Sequence, residues 1–93
     1  MGMRPVPTSR QEAEAMLAEQ GWHKVVLVRH GSLPMQFIGM MVWCEENIGP
    51  GRVEIEKNRI DASDVWYSYS WYGYWDFWFR NKKDATLFTL RWA

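Results

Sequence analysis

The chain has 93 residues and balances 11 Lys and Arg against 11 Asp and Glu, which makes one small domain of zero formal charge. That balance argues against general nucleic-acid binding, which draws its non-specific affinity from clustered positive charge, and it favours self-association. Cys44 is the single cysteine, which excludes an intramolecular disulfide and a cysteine-rich zinc site, and the longest apolar run, residues 37–44, falls far short of the ~20 residues that span a bilayer. With no apolar leader at the N-terminus, the expected compartment is the cytoplasm.

Residues 1–8, with Pro5 and Pro7, read as an extended arm, and residues 9–93 as a single α+β domain. Ser9 followed by Glu12 is a capping-box pattern. It opens a helix over 10–20, stopped by Gly21. Ala13, Met16, Leu17 and Gln20 form its inner stripe, and Glu12, Glu14 and Glu19 face solvent. Residues 22–30 read as a strand. Val25-Val26-Leu27-Val28 is apolar on both faces, as expected of a central strand. Pro34 suits the first turn of a second helix, in which Phe37, Met41, Cys44 and Ile48 share one face and Gly49-Pro50-Gly51 is the stop. A strand over 37–43 is the competing reading.

Residues 49–64 read as an insertion with a short edge strand at 53–56. Ten of the fourteen residues from 66 to 79 are aromatic. Residues 65–72 and 74–80 form two strands of a hairpin around Gly73. Asn81 with Asp84 caps a last helix carrying Ala85, Leu87 and Phe88, and 90–92 either completes it or forms a final strand. The order is that of the split βαβ, ferredoxin-like sandwich: an antiparallel sheet with helices on one face, plus an extra N-terminal helix. Side chains alternate along strands. Numbering parity therefore places Val65, Tyr67, Tyr69, Trp71, Trp75, Phe77 and Phe79 under the helices. It places Trp66, Ser68, Ser70, Tyr72, Tyr74, Asp76, Trp78 and Arg80 on the second face. That face is either an open recognition surface or covered by the N-terminal helix or the 49–64 insertion.

No catalytic, metal or cofactor signature holds up. His23 and His30 point to opposite sides of one strand and cannot share a metal. Cys44 falls in an apolar stripe, as a small buried hydrophobe does. Glu45 and Glu46 read as a solvated helix end, and Glu54, Glu56, Asp61 and Asp64, interleaved with Arg52, Lys57 and Arg59, as a mixed-charge surface loop.

Three resemblances qualify this reading. Val25-Val26-Leu27-Val28-Arg29-His30-Gly31 resembles the strand-to-loop signature of the histidine phosphatases, which implies His30 as phosphoryl acceptor and Arg29 as phosphate clamp. The second histidine of that family is absent, so phosphatase activity ranks last. Gly73-Tyr74 through Phe77-Trp78-Phe79 to Asp84-Ala85 is similar to the third strand and second helix of the RNA-recognition motif. Tyr74 matches a stacking position there, but Asp76 stands where a ring is needed. Trp43-Cys44-Glu45-Glu46-Asn47-Ile48-Gly49, the aromatic hairpin and the Asp84-Ala85 to Trp92 segment resemble small uncharacterised proteins of tailed bacteriophages, over residues 41–92. That likeness implies an infected bacterium as the setting and a host protein as a partner. The expected function is non-catalytic binding through Trp66, Tyr72, Tyr74, Asp76, Trp78 and Arg80, by homodimerisation or to a host protein. Single-stranded nucleic-acid binding on the same face is the alternative.

Overall fold

The computed structural model describes residues 9–28, 34–56, 59–71 and 73–92. The arm expected at 1–8, the Arg29-His30-Gly31 string and Tyr72 lie outside them. The elements run α1 (Ser9–Glu19), β1 (His23–Val28), α2 (Pro34–Asn47), β2 (Gly51–Val53), β3 (Trp66–Trp71), β4 (Tyr74–Phe79) and α3 (Lys82–Trp92). The four strands lie in the order β1-β4-β3-β2. β4 is antiparallel to both of its neighbours, and β2 is parallel to β3.

The α+β class and the order of the main elements follow the sequence reading, with two corrections and one alternative settled. The sheet is mixed rather than antiparallel, because β2 pairs parallel with β3, which follows it only after a crossover connection. β1 is an outer strand, not a central one: its two-faced apolar pattern reflects helices on one side and a half-open surface on the other. Residues 90–92 finish α3 and form no strand.

Local chemistry sets the element ends. Past α1, Gly21 sits at φ 80°. The Trp22 N–H donates to Leu17 O at 3.0 Å and the Gly21 N–H to Ala18 O at 3.1 Å, a Schellman ending with Trp22 and Leu17 packed in one cluster. α2 forms as helix, and its deepest residues are Met40 and Cys44, with Phe37, Met41 and Ile48 half-buried. In α3, Asn81 O accepts from the N–H groups of Asp84 and Ala85. Ala85 and Phe88 point inward, whereas Leu87 is exposed.

The hairpin turns in two residues, with Trp71 opposite Tyr74 and Gly73 at φ 86°. A two-residue turn pairs odd residues of one strand with even residues of the next, so parity holds within a strand and inverts across the turn. The face assignment from numbering is corrected accordingly. Trp66, Ser68 and Ser70 pair with Phe79, Phe77 and Trp75, beside His23, Val25 and Leu27 of β1. Tyr67 and Tyr69 pair with Trp78 and Asp76 on the opposite face.

α2 and α3 cover the first face. Phe88 lies 4.5 Å from Phe77 and 5.1 Å from Phe79, and Phe37 lies 5.5 Å from Trp75, ring centre to ring centre. α1 covers much of the second face, setting Ala13 and Leu17 against Tyr67, Tyr69, Trp78 and Trp22, with Ile55 and Ile60 packed alongside. Of the two alternatives for that face, the covered one forms.

Candidate functional site

The six residues expected to share one recognition surface are distributed over the molecule. Trp66 is buried on the α2/α3 face, and its Nε1 donates to Gly49 O at 2.9 Å. Its ring and carbonyl oxygen crowd Gly51, where an added Cβ would collide with them. Trp78 and Asp76 are buried on the second face. Arg80 donates to the carbonyl oxygens of Asp61 and Asp64 and stacks its guanidinium 4.6 Å from the Trp22 ring centre. Tyr72 lies outside the described residues. Tyr74 is 46% exposed.

Beneath α1 lies a polar cluster that the sequence hid. Glu14, expected in solvent, turns its carboxylate toward the sheet. Trp78 Nε1 donates to Glu14 Oε1 at 3.0 Å. Arg10 reaches Glu14 at 3.2 Å and Asp76 at 3.1 Å, and Lys24 reaches them at 3.5 and 3.6 Å. Burial pushes the Glu14 carboxyl above its ordinary range, as does its hydrogen bond to Asp76. Two carboxylates and two cations thus neutralise one another at the helix–sheet contact. The same groups are donors and ligands in many sites, but here each faces another side chain of the chain itself.

A second polar group straps residues 54–56 and 59–64 over the sheet. Asp64, expected on a surface loop, is buried: it accepts from the Tyr67 hydroxyl at 2.9 Å and pairs with Arg52 at 2.9 Å. Tyr67 in turn accepts the Asp61 N–H, and the Tyr69 hydroxyl accepts the Ile55 N–H, each at 2.9 Å. Burial pushes the Tyr67 phenol up to about 12, so it remains a donor to Asp64 across the neutral range. Glu54 turns the chain off β2 at φ 66°. The two tyrosines expected under the helices therefore tie down a loop on the other side.

What remains open is a corner of the second face beyond α1. Val26 is 49% exposed and Val28 56%. Val28 is the register partner of Tyr74, and Val26 is that of Asp76, so these exposed groups adjoin one another. Across the sheet from this corner, a groove of about 310 Å³ runs between β1 and α3, with Val25, Ala85 and Leu90 as its apolar lining and Lys24 and Lys82 at its rim. The signal for the corner is weak in sequence, because Val26 and Val28 belong to a run that suits full burial equally well.

Cys44 is buried, and burial pushes its thiol up to about 12. Among the described residues no group of three or more His, Cys, Asp or Glu is placed to hold a metal, and no helix is long and apolar enough to cross a membrane. Comparison with family models, with curated proteins and with solved structures finds no match for the chain.

Proposed function

We propose that the chain is a small non-catalytic binding protein that works by protein contact through the corner formed by Val26, Val28 and Tyr74. The observation that carries this reading is the adjacency of those three exposed apolar groups on an outer strand and its neighbour. Single exposed apolar residues are ordinary, whereas neighbouring ones form a patch that partners cover. Tyr74 supplies the kind of ring that anchors protein interfaces. The core β1–α2–β3–β4–α3 is read as a ferredoxin-like unit to which α1 and β2 are added. The resemblance to small tailed-bacteriophage proteins makes the cytoplasm of an infected bacterium the setting, and a second copy or a host protein the partner.

Single-stranded nucleic-acid binding is the weaker reading. A stacking platform needs several open rings and a positive groove; Trp78 lies under α1 beside two carboxylates, Trp66 is buried on the other face, and Tyr74 is the open ring among the described residues named for the site.

The test is the double variant Val28→Ser with Tyr74→Ser, in sedimentation and in capture from bacterial lysate. It keeps the wild-type melting temperature within a few degrees and loses self-association or partner capture. Unchanged self-association and unchanged capture would remove this corner as the contact surface.

A further inference from the structure

β1 closes the sheet on one side, with β4 as its neighbour, and no strand among the described residues pairs with its other side. An outer strand presents a row of backbone N–H and C=O groups that another strand can complete, and natural sequences blunt such edges with charges, prolines or bulges. His23-Lys24-Val25-Val26-Leu27-Val28 carries no proline, and its one lysine is turned toward Glu14 and Asp76 under α1. The edge is therefore poorly protected over Val25–Val28.

The strand that fits there must be apolar on both sides. One side would lie beside Val26 and Val28; the other would lie over the groove against α3, where Leu90 is 78% exposed and Lys82 stands at the rim. β1 itself meets that requirement, with Val26 and Val28 on one face and Val25 and Leu27 on the other. The zero formal charge of the chain leaves no net repulsion between copies. In an antiparallel ladder, residues whose backbone groups point outward meet residues that do the same. Along one strand these alternate, so a strand paired with its own copy matches even residues with even and odd with odd. Like faces then meet, which is what a two-fold axis demands.

Resting on the protein-contact reading above, we propose that two copies pair antiparallel through the outer edges of β1, with Val26 opposite Val26 of the second copy. This register sets Lys24 against Val28 and Val25 against Leu27. It covers both exposed valines and keeps the two Lys24 ammonium groups apart. The neighbouring even registers lose one of these features: centring on Val25 leaves Val28 beyond the apolar pairing, and centring on Leu27 leaves Lys24 without a partner within the strand.

Sedimentation of the full chain over a range of concentrations, with disulfide trapping of Val26→Cys, tests the proposal. Directly opposed residues of an antiparallel pair have the separation that a disulfide needs. The wild type forms a dimer, and Val26→Cys cross-links under mild oxidation at least about tenfold faster than Glu45→Cys, an exposed control near the end of α2 that reports random collision. Cys44 is too buried to compete. A dimer in which Val26→Cys links no faster than the control overturns the strand pairing and leaves the corner as a contact surface. A wild type that stays monomeric at every concentration overturns the second copy as occupant. Loss of lysate capture in the Val28/Tyr74 double variant then separates that failure from a failure of the protein-contact reading itself.

Discussion

On one side of the sheet, α2 and α3 set Met40, Cys44, Ala85 and Phe88 against Trp66, Phe77 and Phe79, and rings meet rings. On the other, α1 brings Ala13 and Leu17, flanked by Arg10 and Glu14 on one side, onto a surface that mixes Trp78, Tyr67 and Tyr69 with Asp76. The first contact draws on apolar area removed from water, at ~25 cal/mol per Å². The second draws much of its definition from charge and hydrogen-bond matching, in which desolvation offsets most of the Coulomb gain. The contrast teaches that one sheet can divide stability and orientation between its faces. The dry face holds the domain together, while the polar face fixes where α1, residues 54–56 and residues 59–64 lie.

The sharpest way to break that comparison is Phe77→Ala. It removes a fully buried ring from the dry face and should cost ~3–5 kcal/mol, read from denaturant unfolding. A loss smaller than that of Leu17→Ala would reverse the ranking of the two faces. Next comes Asp76→Asn, which takes the charge from the centre of the polar cluster and should cost ~1–3 kcal/mol. The loss should be local: amide exchange quickens in α1 and changes little in α3. Equal acceleration in both helices would show that the polar face holds the whole domain and not α1 alone.

A pH titration sharpens the contrast further. The folded state raises the Glu14 pKa above its ordinary value near 4.5, so it holds this proton more tightly than the unfolded chain does. The contribution is fully present below that ordinary value and is lost as pH rises through the folded-state value. Glu14→Gln should remove this fall, measured as melting temperature against pH; a variant with the wild-type slope would assign the dependence to other groups. The smallest effect expected is that of Ser68→Ala. Ser68 is fully buried on the dry face and its hydroxyl has no hydrogen-bond partner among the described residues. The variant should be neutral or up to ~1 kcal/mol more stable, and a clear destabilisation would point to a polar role for that face.

The readable parts of this chain were those governed by local rules. Gly21 ended α1, Pro34 and the Gly49-Pro50-Gly51 stop bounded α2, Gly73 placed the hairpin, and Asn81 opened α3. The unreadable parts depended on relations between elements. One turn residue more or less decides which rings share a face, so Trp66 moved to the dry side and Tyr67 and Tyr69 to the polar side. Glu14 and Asp64 read as solvated because nothing local reveals that Arg10, Lys24, Arg52 and two ring donors will surround them. Strand order was hidden for the same reason: a fully apolar strand fits the middle of a sheet and an uncovered edge alike.

The position of β4 in the middle of the sheet also governs how the chain finds its fold. β4 joins β3 through a two-residue turn and is followed at once by α3, so this part can assemble from neighbours in sequence. β1 must reach β4 from near the other end of the chain, and closing so long a loop is the slow, entropically opposed step. From this topology the hairpin and α3 are expected to form first, with β1 docking late. Until it does, the β4 edge of the aromatic hairpin stands open, and that interval is when the chain is expected to be most exposed to pairing with the wrong strand.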